Sequence, residues 1–213
     1  MTCTEKLFLN DVKDHQMEVI RDDGINRHIR FSKPGTGCYR FDLITWPGVL
    51  CYTGDMGTYV FSRIADMFEF FRMDKSDWNY NPKGLSINPG YWSEKLLASD
   101  CNGRHANGVE EFDKDKFIRE INSIRIKWLR DAKREETLNK DQRRDLWEAV
   151  DNYILYDVGD YSESEACRRV YDFYFQPTGT RERYSIDDFS EVRCGKFSFH
   201  YIWCCHALAW GIS

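Results

Sequence analysis

Tyr39-Arg-Phe-Asp-Leu-Ile-Thr-Trp46, Val49-Leu-Cys-Tyr-Thr53 and Thr58-Tyr-Val-Phe-Ser62 follow one another with only Pro47-Gly48 and Gly54-Asp-Met-Gly57 between them. The runs are rich in β-branched and aromatic residues and the gaps are turn signals, so the three read as consecutive strands of an antiparallel meander. A period of two sends alternate side chains to opposite faces, with Tyr39, Phe41 and Leu43 on one and Arg40, Asp42 and Ile44 on the other. Upstream, Met17-Glu-Val-Ile-Arg21 and Ile25-Asn-Arg-His-Ile-Arg-Phe31 flank Asp23-Gly24, a dipeptide that tolerates the positive φ of a tight hairpin. Lys33-Pro-Gly-Thr-Gly37 separates this hairpin from the strands that follow, and the β pattern covers residues 17–63.

Beyond residue 63 the period changes. Short helices are expected over 64–73 and 91–99 with a loop-like, Asn-, Gly- and Pro-rich stretch over 74–108. A long helix is expected over 113–136, where Phe117, Ile121, Ile124 and Trp128 form a stripe that faces a core. Asn139 is placed to cap a helix over 140–156, whose Leu146, Val150 and Ile154 repeat the period. Ser162-Glu-Ser-Glu165 has capping-box spacing before a helix over 166–175. The closing run from Phe197 to Ile212 is broken by His200 and His206 and falls short of the about 20 apolar residues of a membrane span, so it reads as a buried central element. The expected fold is α+β in one domain over 1–213. An N-terminal antiparallel β-meander (17–63) packs with C-terminal helices in a mainly helical 64–213, and the last run is buried between them.

Composition narrows the function classes. With 30 Lys and Arg against 35 Asp and Glu over 213 residues, and 42% hydrophobic residues, the chain is neither a disordered polyelectrolyte nor a strongly basic duplex-binding module. Its 14 Phe, 12 Tyr and 7 Trp imply a ring-rich core, and rings left outside it would anchor an interface. The 8 cysteines are scattered without a C-x-x-C, and residues 1–10 have no secretory pattern, which points to a reducing cytosol and buried thiols. Charge is uneven. Acidic residues outnumber basic ones nine to four over 157–191, while basic residues lead six to two over 119–134. These are either opposed electrostatic faces or solvated helices laced with i,i+4 pairs.

Several constellations bear on chemistry. Cys101-x-x-x-His105 and His200-x-x-x-Cys204 together supply four soft ligands of the kind tetrahedral zinc takes, but neither has a familiar finger or ribbon spacing. No metal or other cofactor is therefore expected. Cys204-Cys-His206 offers a thiol and an imidazole that sequence adjacency points in different directions. Neither 33–37 nor 54–57 has a phosphate-cradling pattern, and both read as turns. His28, Arg30 and Glu191 fit the parts of a nicotinamide-dinucleotide transferase, yet alternate strand residues explain the first two. Arg125, Lys127, Arg130, Lys133 and Arg134 around Trp128 would follow a nucleic-acid backbone, but Trp128 belongs to the inward stripe. Acidic mimicry of a duplex, which carries one charge per ~1.7 Å, is limited to a local patch within 157–191.

The stretch from Phe31-Ser-Lys-Pro-Gly-Thr-Gly-Cys-Tyr-Arg-Phe-Asp-Leu-Ile-Thr-Trp-Pro-Gly-Val-Leu50 through Gly54-Asp-Met-Gly-Thr-Tyr-Val-Phe-Ser-Arg63 and Met67-Phe-Glu-Phe-Phe71, and the closing Phe199-His-Tyr-Ile-Trp-Cys-Cys-His-Ala-Leu-Ala-Trp-Gly211, resemble a functionally uncharacterised group of proteins from bacteriophages and prophages of Gram-negative hosts. The resemblance covers about residues 28–72 and the C-terminus and implies no catalytic residue. It implies phage origin and nothing finer. Small cytosolic phage proteins without an enzyme motif often disable host defences, so the expected function is that of a phage accessory protein in the host cytoplasm that inhibits a host defence component, such as a CRISPR effector or nuclease complex, by stoichiometric binding. The candidate contact residues are the rings Trp46, Tyr52, Tyr59, Trp78, Tyr80, Tyr91 and Trp92 and the cations Arg125, Arg130 and Arg134. The alternatives are a small enzyme acting on a nucleotide or nucleic acid through a dispersed site, and a nucleic-acid binder. No membrane partner is expected.

Overall fold

The computed structural model describes residues 2–100, 108–189, 192 and 194–213. The fold is α+β, with an N-terminal antiparallel sheet followed by helices. Where the sequence suggests one domain, the chain forms two compact units. The first comprises residues 1–111 and 197–213 and the second residues 112–196.

The first unit is a six-stranded sheet in sequence order: β1 (Gln16–Asp23), β2 (Asn26–Ser32), β3 (Phe41–Trp46), β4 (Val49–Gly54), β5 (Gly57–Ser62) and β6 (Leu96–Asp100). The turns fall where the glycines require them. Gly24 and Gly48 have φ +62° and +82°, a region closed to most side chains. Register places Leu43 opposite Tyr52 and Tyr52 opposite Tyr59, so one face stacks Phe31, Phe41, Tyr52, Tyr59 and Phe61, all buried. On the other face Asp42 is only 6% exposed, because Arg30 and His28 close over it.

The closing run is the helix α7 (Phe199–Ile212), which covers this ring-lined face. Eight of its residues are buried, among them Tyr201, Trp203, Cys204, Cys205 and Leu208, as befits a helix apolar all round. Ser198 caps it, accepting from Tyr201 N at 3.2 Å while donating to Gly108 O at 2.9 Å. Gly211 permits the close approach, since a Cβ there would stand 3.0 Å from Leu43 Cδ1 and 3.1 Å from Phe31 Cε2. The short helix α1 (Glu5–Val12), not anticipated from the sequence, packs Phe8 edge-on against Trp203 at 4.9 Å. Two single-turn helices, α2 (Met67–Phe71) and α3 (Pro89–Ser93), complete the unit.

One expected helix is cut short. Of the helix expected over 91–99 only residues 91–93 are helical, within α3, and residues 96–100 pair with β5 as β6. The helix-forming Leu and Ala there yield to the hydrogen bonds of an open sheet edge.

In the second unit α4 (Lys114–Arg134) and α5 (Lys140–Val150) are followed by a π turn (Asp151–Leu155) and α6 (Glu163–Asp172). The expected stripe faces the core, with Phe117 and Ile121 fully buried alongside Leu146, Val150, Ile154 and Val170. Trp128 lies among Phe173 and Tyr184, at 6.3 and 5.4 Å between ring centroids. Asn139 and Gln142 form a complete capping box at the start of α5. Strands β7 (Glu110–Phe112) and β10 (Gly195–Phe197) carry the chain between the units, and β8 (Tyr174–Phe175) pairs with β9 (Tyr184–Ser185) inside the second.

Candidate functional site

A concavity of about 1170 Å³ in the first unit lies between α2, the segment over 72–79 and α3. Its floor is Trp92, 1% exposed and edge-on to Phe71 at 4.9 Å, which is itself edge-on to Phe61 at 5.1 Å. Asn88 fixes α3 by accepting from Tyr91 N at 3.2 Å, and the Tyr201 hydroxyl donates to Pro89 O at 2.9 Å, tying α3 to the core helix. One wall is the pair Phe70 and Tyr91, 5.7 Å apart between centroids.

The rim carries Trp78, at 86% the most exposed large apolar side chain among the described residues. Its position follows from local sequence. In Asp74-Lys-Ser-Asp-Trp78 the Asp74 carboxylate accepts from both the amide and the hydroxyl of Ser76, at 2.7 and 2.6 Å. Asp77 Oδ2 accepts from Asp74 N at 2.8 Å, and Tyr80 N donates to Asp77 O at 3.0 Å. These bonds satisfy the loop backbone locally and hold the indole outward. The Ser76 contacts also hold the Asp74 carboxyl below its ordinary range.

Electrostatically the groove favours cations. Glu69, Asp74, Asp77 and Glu94 line it against Arg63 and Arg72, and Arg72 is already joined to Glu69 at 2.6 Å. The Lys95 ammonium sits 4.7 Å over the Tyr91 ring, so one ring of the wall already accepts a cation.

The groove unites Trp78, Tyr91 and Trp92, but Trp92 serves as floor and offers a partner almost no surface. Tyr80 is half-buried in an adjoining cavity of about 260 Å³ with Asn81, Leu85 and Ile212. Tyr52 and Tyr59 are corrected outright as contact residues. Both are 0% exposed, because the register that aligns them with Leu43 turns them under α7. Arg125 is corrected too. Steps of four from Phe117 and Ile121 bring it inward, where it is 5% exposed, bonds Asp151 and lies 3.4 Å over the Trp147 ring. Trp46 is 44% exposed beside a separate groove with Ile20, His28 and Ile44. Arg130 and Arg134 are exposed on α4.

His28 Nε2 bonds Asp42 at 2.8 Å and Arg30 holds the same carboxylate bidentately at 3.0 and 2.9 Å, so both are engaged in the sheet. Burial pushes the Asp42 pKa up, but the Arg30 and His28 bonds outweigh it and hold the group below the ordinary carboxylate value. Asp55, between its glycines, accepts from Tyr39 N at 2.9 Å, which supports the left-handed backbone of Tyr39. Cys101, His105 and Glu191 lie outside the described residues, among which no cluster of three or more metal-ligating side chains occurs. Sequence reasoning missed Phe70 and the four carboxylates; the Asp-x-Ser-Asp pattern before Trp78 was the signal available for the latter.

No family model matches the chain, and no curated protein or solved structure shows significant similarity to it. Among the described residues no helix is long and apolar enough to cross a membrane. The groove is therefore read from its own chemistry.

Proposed function

We propose that this is a phage accessory protein that acts in the host cytoplasm, inhibiting a host anti-phage defence component such as a CRISPR effector or nuclease complex by stoichiometric binding. The observation that carries the reading is the Trp78 ring, 86% exposed on a loop fixed by its own aspartates and standing beside Phe70, Tyr91 and four carboxylates. The loop backbone is already fixed, so binding orders little beyond the two torsions of the ring, and Trp is enriched among interface anchors. Glu69 and Glu94 are already paired with Arg72 and Lys95, which leaves Asp74 and Asp77 as the carboxylates that favour a cationic partner. Complexes that grip nucleic acid present Arg and Lys surfaces to its phosphates, and an acidic, ring-lined groove matches such a surface.

The test is phage plating on hosts that each carry one defence system, with this chain expressed from a plasmid. Wild type is expected to restore plating against one system, and Trp78→Ala to reduce the restoration at least tenfold while leaving the circular dichroism spectrum unchanged. Full restoration by Trp78→Ala, or no effect of the wild type on any system, would overturn the reading.

Nucleic-acid binding is the second reading, favoured by α4. Arg119, Lys127 and Arg130 stand exposed along one side of it, with no ion pair among the described residues, next to Ser123 and Asn122. This reading predicts binding that weakens steeply with salt and on Arg130→Glu.

A further inference from the structure

The β1 strand differs from the rest of the sheet in that all eight of its residues are exposed. It is the sheet's first strand, hydrogen-bonded to β2 alone, so alternate N–H and C=O groups along its other side face solvent. Its apolar side chains are uncovered as well, with Met17 62%, Val19 51% and Ile20 45% exposed. An edge of this length and composition is a template for another strand.

The charges of β1 identify that strand. Register with β2 shifts between Val19 and Arg21, which makes Ile20 the extra residue of a bulge and turns Glu18 and Arg21 to the same face. If β1 is laid antiparallel to a copy of itself with Val19 on the twofold axis, Glu18 of each strand faces Arg21 of the other. Met17 then faces Asp22, Gln16 faces Asp23, and no like charges oppose. The two bulges fall symmetrically about the axis. Arg21 is tied only to Asp23, at 3.1 Å in an exposed pair that can be exchanged at little cost.

We infer that β1 is a self-pairing edge through which two copies of the chain join antiparallel about Val19, with reciprocal Glu18–Arg21 pairs fixing the register. The partner is a second copy of this chain, and the inference does not rest on the aromatic groove. Pairing through a single strand covers less than about 1,200 Å², which places the dimer among weak, reversible ones.

Sedimentation velocity of the full chain tests it, from about 1 to about 200 μM so as to bracket the micromolar range expected of a small interface. The expected result is a reversible shift from monomer to dimer. Glu18→Arg and Arg21→Glu singly should each weaken the dimer about tenfold by setting like charges face to face, and the two together should restore it. Val19→Pro should abolish it while leaving the far-ultraviolet spectrum unchanged, because an edge strand accommodates proline. A chain that stays monomeric throughout overturns the inference. So does a dimer indifferent to the single charge reversals, or one that the double reversal fails to restore.

Discussion

Tyr52 has a hydroxyl that is buried without a hydrogen-bond partner among the described residues, although its ring packs with Phe41 at 5.6 Å and Tyr59 at 6.0 Å. A buried polar atom without a partner carries its full desolvation cost, so Tyr52→Phe is expected to raise unfolding free energy by about 1 kcal/mol in urea titrations. Asp42 is the opposite case, a buried carboxylate with both oxygens engaged. Asp42→Asn leaves Arg30 and His28 facing an amide and should cost about 2 kcal/mol. His206 and Asp42 set the acid response. His206 is 6% exposed, and burial lowers its pKa below the ordinary imidazole value, partly opposed by Glu5. Its folded form binds a proton less readily than its unfolded form, so its contribution to stability is complete above about pH 6.5 and is lost as pH falls through the lowered value. Asp42 acts in the same sense further down, contributing fully above about pH 4 and losing that contribution below it. Stability measured against pH should therefore fall in two stages, and His206→Phe should remove the upper one. A single fall below about pH 4 in the wild type would contradict the His206 assignment.

The elements divide into those the sequence specifies locally and those the sheet imposes. The meander from β2 to β5 was legible because Asp23-Gly24, Pro47-Gly48 and the glycines at 54 and 57 punctuate alternating runs, and each turn falls at or beside its signal. The helices α4 and α5 were legible from period and cap. The α7 helix was legible as a buried element from its uniform hydrophobicity, and its cap is the sharpest place to test it. Ser198→Ala removes an acceptor for Tyr201 N and a donor to Gly108 O together, both buried, and should cost about 1 to 2 kcal/mol by thermal unfolding. An unchanged midpoint would mean the helix does not depend on that cap. By contrast, β6 was not legible. Its Leu-Leu-Ala-Ser-Asp carries no β signal and becomes a strand only because β5 presents an unpaired edge far back in sequence. The buried place of Arg125 was equally hidden, since residue type argued for the surface and only the spacing from Phe117 and Ile121 argued against it. The fate of Tyr52 and Tyr59 was within reach, because carrying the Leu43 face across the turns by register buries both.

At the scale of the molecule, the first unit joins a core almost paved with rings to a surface that leaves very few large rings fully exposed, and Trp78 stands out among them. Three of the seven ring candidates named from the sequence, Tyr52, Tyr59 and Trp92, are core. The feature that survives is the one whose backbone is organised to hold an indole in water beside a cluster of carboxylates. The acidic excess over 157–191 is partly consumed locally, with Glu165 joined to Arg168 and Arg169. The proposed function accordingly falls on one groove, which we propose grips a basic macromolecule. The most direct measurement is a titration of the neutralised defence complex, at a concentration well above the dissociation constant, with wild type and Trp78→Ala side by side. The account expects inhibition to be complete at one molar equivalent of wild type, and Trp78→Ala to weaken binding about 30-fold or more, the loss of a hot-spot anchor. Complete inhibition at a small fraction of an equivalent, or an unaltered curve for Trp78→Ala, would contradict it.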